Sequence, residues 1–174
     1  MAVAVGLAAL TSGGCAEHSQ RHEHDRDTPA CTAPPFAAQY WAIDPCSPDA
    51  VLIAATDAIF NSQPDRQYDS AESFYAAASL VAPGYLQRIG ASAIAWTPIP
   101  TATWARWSSQ RISVTAAARI TADDHPADTR SQSSRVIAVT QHPGDEPPRA
   151  FTVYAQATRD GSNRPWLVTN LEVR

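Results

Sequence analysis

The chain has 174 residues, of which 44% are hydrophobic and 17% charged. This length suits one ordinary domain with its own core, and the composition is that of a globular protein, not of a disordered one. The formal net charge of -4 argues against a nucleic-acid partner, because domains that bind DNA or RNA are normally clearly basic.

The N-terminal stretch predicts an export signal and a lipid anchor. Residues 2–10 (AVAVGLAAL) are continuously apolar or glycine, and Gly13 and Gly14 directly precede Cys15. A transmembrane helix needs roughly 20 apolar residues, so this run fits the shorter hydrophobic region of a signal peptide better. Small residues before a cysteine resemble the lipobox of bacterial lipoproteins, whose cysteine receives a diacylglycerol. We therefore expect a signal peptide over residues 1–14 and attachment through Cys15 to the outer face of the cell membrane.

The start of this signal is expected to lie further upstream, since no Lys or Arg precedes the apolar run. The alternative for residues 1–15 is a buried strand or an unstructured terminus.

Residues 15–43 are predicted to be the lipidated cysteine and a flexible tether, because polar and charged residues follow one another there without a helical or strand period. Within it, His18, His22 and His24 can bind a transition metal weakly, but nothing supplies a fixed tetrahedral frame. We expect neither a metal site nor a cofactor.

Cys31 and Cys46 are left once Cys15 is assigned to lipid. An even pair of cysteines in an exported protein favours a disulfide. Two free thiols are the alternative, because the sequence does not give the distance between them.

Residues 44–174 are predicted to form one α+β domain that begins with helices. Ser47-Pro48-Asp49 is a strong helix start, since serine caps, proline presets φ and aspartate complements the helix dipole. The sequence predicts three helices, over residues 48–61, 69–81 and 85–90. Residues 91–110, with Trp96, Trp104 and Trp107, are interpreted as a long connection that packs its indole rings.

Four strands are expected after residue 110. Apolar and polar residues alternate with a period of two from Ile112 to Ile120, as in a half-buried strand. The other predicted strands cover residues 135–141, 150–157 and 166–173. Gly144 and Gly161 supply turn chemistry between strands, and residues 121–134 form a long polar loop that we expect to be the most mobile segment.

This order of elements resembles the cystatin-like or NTF2-like cone, in which N-terminal helices pack on a curved antiparallel sheet. The resemblance is carried by residues 48–60, 73–86 and 104–107, and by Trp166-Leu167-Val168 near the end of the chain. These stretches are similar to extracytoplasmic domains of membrane-associated proteins in high-GC Gram-positive bacteria, including VirB8-like components of conjugation machinery. The resemblance implies the fold; functions within this group differ widely.

Catalytic signatures are scarce. The sequence has no phosphate-binding loop, dinucleotide fingerprint, CxxC or zincin motif. Enzymes of the NTF2-like group place an acid and a base inside the cone, whereas the inward positions here are mostly apolar. The remaining candidate dyad is His125 with Asp123, Asp124 or Asp128, in a polar loop.

We therefore expect a non-catalytic interaction module that binds an envelope protein, as an accessory of a conjugation, secretion or transport complex. The main alternative is a protein that binds a small apolar ligand, and an NTF2-like enzyme is a further one. The candidate pocket residues are aromatic, although aromatic side chains more often belong to a core: Trp96, Trp104, Trp107, Trp166 and Tyr154.

Lipidation of Cys15 is directly testable. When the gene is expressed with its full upstream region, the protein should incorporate a fatty-acid analogue, because the lipobox-like residues direct acylation. Gel fluorescence after labelling measures this, and the Cys15→Ala variant should be unlabelled. Labelling of that variant would contradict the assignment.

Overall fold

Four α-helices precede a four-stranded antiparallel sheet in the structure, a computed structural model that describes residues 30–89 and 99–174. The helices are α1 Pro48–Phe60, α2 Ala71–Ala76, α3 Pro83–Ile89 and α4 Thr101–Gln110; the strands are β1 Val114–Ile120, β2 Gln132–Pro143, β3 Arg149–Thr158 and β4 Leu167–Val173. The strand order is β1-β2-β3-β4, so the sheet is an open meander and not a closed barrel. The predicted α+β class and the number of strands are confirmed.

Helix α1 is the main contact between the helical layer and the sheet. It begins as predicted, with the Ser47 hydroxyl accepting a hydrogen bond from the backbone N–H of Ala50 at 3.2 Å. Its apolar side chains pack across all four strands. They meet the side chains that alternate to one face of the sheet, including Ile137 and Val153, which are fully buried. This face is called the inner face below.

The free edge of β1 is closed by α1 and the residue that follows its C-cap. Ser62 and Val114 exchange two backbone hydrogen bonds of 2.9 Å. Side chains complete the edge: Asn61 Oδ1 accepts from the Ala116 N–H at 3.0 Å, and Asp57 Oδ1 accepts from the Ala118 N–H at 2.7 Å. Three successive outward N–H groups of the strand are thereby satisfied.

The free edge of β4 is closed in the same way from the other side of the helical layer. The Ala82 N–H donates to the Val168 carbonyl at 2.8 Å. The buried Tyr85 hydroxyl accepts from the Leu171 N–H at 2.8 Å and donates to the Leu171 carbonyl at 3.3 Å. Burial raises the pKa of Tyr85 to about 12, so its hydroxyl keeps the proton that it donates.

A disulfide joins Cys31 to Cys46, as predicted, with 5.8 Å between their Cα atoms. The segment that it closes lies on the domain: Phe36 is buried in the core. The Thr32 N–H donates to the Ser162 carbonyl at 2.8 Å. Contacts with the domain therefore extend N-terminally of residue 44.

Helix α4 corrects the sequence analysis, which expects an irregular connection over residues 91–110. Proline at position 100 directly precedes the helix, where its fixed φ is compatible with a helix start and does not break one. Trp104 and Trp107 lie three residues apart, which places both indoles on one buried face. The expectation is wrong for Thr101–Gln110, while residues 91–98 lie outside the described part.

Several further boundaries differ from expectation, those of α2 and β2 by the most. Helix α2 ends at Ala76, and a 3₁₀ turn follows at Ala78–Leu80, because Val81 extends to form a bridge with Val168. Strand β2 begins at Gln132 and is longer than predicted, which shortens the polar loop before it to residues 121–131.

The closed β4 edge predicts a specific loss of stability. In Tyr85→Phe, the N–H and carbonyl of Leu171 lose their buried partner, so the free energy of unfolding should fall by about 1–3 kcal/mol. Urea denaturation measures this. The matched control is Tyr68→Phe, at a side chain that is 90% exposed, and it should change the value by less than about 0.5 kcal/mol. Equal losses in both variants would contradict this account of the edge.

Candidate functional site

Two clefts beside the sheet bear on function. The first, which we name the amide cleft, has a volume of about 390 Å³, within the usual range for small-ligand sites. It lies where the segment before α1, the end of α1, the end of α2 and the start of β1 meet. Its lining residues are Gln39, Tyr40, Ala58, Asn61, Ser62, Gln63, Arg66, Gln67, Ala76, Ser113, Val114 and Thr115.

Part of the amide cleft is fixed by internal hydrogen bonds. The Asn61 side chain donates to the Asp57 carbonyl at 2.6 Å while its oxygen holds β1. The Gln67 side chain accepts from the Gln63 N–H at 2.7 Å and donates to a serine hydroxyl at 3.1 Å. The Tyr40 hydroxyl donates to the Ala76 carbonyl at 2.9 Å. These walls are held in place before any ligand arrives.

The second cleft, which we name the sheet-face cleft, has a volume of about 210 Å³. It lies on the face of the sheet opposite the inner face, because Val136, Tyr154 and Gln156 occupy the alternate strand positions. Loop residues Asp124 and His125 form another wall. Tyr154 is 46% exposed there, so an aromatic ring is presented to solvent near the centre of the sheet.

An ion-pair network lies next to this cleft and ties the loop to α1. The two guanidinium NH groups of Arg135 each lie 2.7 Å from an oxygen of Asp128, and its Nε lies 2.7 Å from Asp49. The Ser133 hydroxyl also donates to Asp128 at 2.9 Å. The guanidinium beside it lowers the pKa of Asp128 to about 2, so this group is a carboxylate at neutral pH.

The candidate dyad is not assembled in the described residues. His125 Nδ1 lies 2.9 Å from the Pro126 carbonyl and makes no hydrogen bond to a carboxylate in this part of the chain. Asp128 forms an ion pair with Arg135, and Asp123 accepts a hydrogen bond from the Thr121 hydroxyl at 2.6 Å. In the described residues no hydrogen bond joins His125 to any of the three candidate carboxylates, Asp123, Asp124 and Asp128, so none of them orients the imidazole as a general base.

The aromatic residues predicted to line one pocket lie in different places. Trp166 is part of the main core. Trp107 is fully buried on α4, where its Nε1 donates to Glu146 at 3.0 Å, and Trp104 is buried beside it. Tyr154 lines the sheet-face cleft, and none of these three tryptophans lines that cleft or the amide cleft. Trp96 and Cys15 lie outside the described residues.

Within residues 30–89 and 99–174, no group of three His, Cys, Asp or Glu side chains is placed to hold a metal ion. The histidine cluster of the predicted tether, His18, His22 and His24, lies outside these ranges. The helices of the described part are also too short or too polar to span a bilayer.

The amide cleft is the feature that the sequence analysis misses. Residues 61–67 (NSQPDRQ) carry five of the cleft's polar side chains, three of them amides, and this density of polar groups is the available signal. These residues come together with Gln39 and Tyr40, more than 20 positions earlier in the sequence, only through tertiary packing. No local sequence pattern predicts that contact.

Comparisons of the chain with protein families, with curated proteins and with solved structures give no match.

Proposed function

We propose that the protein is a lipid-anchored extracytoplasmic module that binds another cell-envelope protein and performs no chemistry of its own. The binding surface is the face of the sheet opposite the inner face, which carries Tyr154 and is called the open face below. A lipid on Cys15 attaches the protein to the outer face of the cell membrane. The proposal includes the likeness to NTF2-like domains, which is supported by helices preceding a four-stranded antiparallel meander.

The observation that carries the proposal is the composition of the open face. On the two central strands, β2 and β3, the residues that alternate to this face include no Asp, Glu, Lys or Arg. Tyr154 stands half exposed, with Val136 and Glu172 directly opposite it on β2 and β4. Charges lie on the flanking edge strands, at Arg119 and Glu172. An uncharged centre with an exposed aromatic residue and a charged rim is typical of protein-binding surfaces.

The closed edges support the same conclusion by elimination. The helical layer already pairs with outward backbone groups of Val114, Ala116 and Ala118 on β1 and of Val168 and Leu171 on β4, which leaves little of either edge for a partner strand. The face is the surface of the sheet that is left for a partner.

The disulfide supports the proposed location. Disulfides persist in oxidising compartments outside the cytoplasm and are rare within it. The Cys31–Cys46 bond also fixes the point at which the chain from Cys15 enters the domain. Tethering raises the local concentration of the domain near other membrane proteins, so a modest intrinsic affinity suffices for function.

The test is site-specific photo-crosslinking in intact cells. A benzophenone amino acid replaces Tyr154 in the anchored protein, and the same replacement at the exposed Tyr68, on the helical side, is the matched control. We expect an adduct with an envelope protein from position 154, several-fold stronger than from position 68 and weakened by Cys15→Ala. Mass spectrometry identifies the captured protein. Equal capture at the two positions, or none at position 154, would contradict the proposal.

A further inference from the structure

We propose that a pocket beside the turn between β3 and β4 binds the phosphate of an anionic phospholipid headgroup at the membrane surface. This pocket, which we name the arginine pocket, is lined by Arg159 and Arg164 and has a volume of about 280 Å³. It uses none of the residues of the open face, so it adds a second contact to the proposed protein partner. The choice of a membrane lipid over a soluble phosphate rests on the proposed anchor at Cys15.

The pocket carries two cations that no carboxylate neutralises. Neither Arg159 nor Arg164 forms an ion pair with another described residue. The guanidinium groups of Arg106 and Arg135, in contrast, each pair with a carboxylate. Asp160 is the one acid among the described lining residues, so the pocket has an excess of positive charge.

Arg159 is held in position by the protein, unlike a freely solvated surface arginine. Its guanidinium lies over the ring of Trp166, 4.8 Å from the ring centroid, and its Nε donates to the Arg130 carbonyl at 2.8 Å. Trp166 belongs to the buried core, so this ring is a fixed support. A guanidinium that is already oriented loses less side-chain entropy when its remaining N–H groups bind a ligand.

The chemistry of the lining favours a phospholipid. Guanidinium groups form paired, charge-assisted hydrogen bonds with phosphate oxygens. Apart from one threonine, the other described lining residues are apolar: Ala82, Pro83, Pro165, Leu167 and Thr158. These residues offer few hydrogen bonds to the base or sugar of a nucleotide. They suit the glycerol and the first acyl carbons that adjoin a lipid phosphate.

The chain that leads to the proposed anchor enters the domain at this pocket. The Thr32 N–H donates to the carbonyl of Ser162, which lies in the turn that carries both arginines. Cys31 follows Cys15 by 16 positions, and an extended chain of that length reaches at most about 55 Å. A lipid on Cys15 therefore keeps the arginine pocket within reach of the headgroups and raises their local concentration.

The experiment uses the purified full chain, with its disulfide formed and no lipid attached. It is titrated with dihexanoyl phosphatidylglycerol below the micelle concentration, and backbone amides are followed by NMR. The signals of residues 159–164 should shift, whereas dihexanoyl phosphatidylcholine, which has no net charge, should shift them far less. Arg159→Gln and Arg164→Gln should each weaken phosphatidylglycerol binding roughly tenfold, as expected for the loss of a charge-assisted hydrogen bond.

The matched control separates the pocket from the overall charge of the chain. Arg66→Gln removes the same charge at an exposed arginine of the amide cleft and should bind as the wild type does. Arg164 is also exposed, so its variant tests the pocket without threatening the fold.

Three outcomes overturn the proposal: phosphatidylglycerol shifts none of these signals, Arg66→Gln weakens binding as much as Arg164→Gln, or inorganic phosphate at the same concentration gives the same shifts. The last outcome assigns the pocket to a free anion. Because the chain carries no lipid in this experiment, its failure contradicts the arginine pocket alone. Failure of the anchor is detected separately, as a wild type that incorporates no fatty-acid analogue at Cys15.

Discussion

An open four-stranded sheet has two edges, and each edge presents backbone N–H and carbonyl groups that need partners. The rest of this structure follows from how those edges are closed. On β1 the partners come from the end of α1, and on β4 from Ala82, directly before α3, and Tyr85, within α3. Helices that pack on the inner face therefore also protect the edges, which ties the position of the helical layer to the register of the sheet.

Both the open face of the sheet and the amide cleft result from this arrangement. The helices cover the inner face and the edges of the sheet. The opposite face therefore stays open, with Tyr154 exposed on it. The amide cleft forms where the chain leaves α1 to reach the edge of β1, since the bridge between Ser62 and Val114 draws the following polar residues against the sheet. The hydrogen bonds that close the β1 edge thus also shape the amide cleft.

Much of the fold is predictable from local patterns. The Ser47-Pro48 start of α1, the period of two in β1 and the glycines of the hairpins lead to elements that the structure confirms, and Gly144 and Gly161 have the positive φ values that favour glycine. Helix α4 is missed because proline before residue 101 is ambiguous between breaking a helix and starting one. The disulfide is predicted because Cys31 and Cys46 form the pair that is left once Cys15 is assigned to lipid, and the structure confirms it.

The sites are harder to predict, for a physical reason. Tryptophans are conspicuous in a sequence, yet Trp107 and Trp166 are buried here, since large apolar rings contribute most when removed from water. Most residues of the amide cleft are polar, and only the fold brings Gln39 to Ser62 and Thr115. A site that is formed by such tertiary contacts leaves no periodic pattern in the sequence.

Hydrogen exchange of individual backbone amides tests the central claim most directly. If the helical layer closes the β1 edge, the outward amides of Val114, Ala116 and Ala118 exchange as slowly as the central Val153 amide, through global unfolding. If the edge is open, these three amides exchange as fast as that of the exposed loop residue Asp124 while Val153 stays protected, and the account is contradicted.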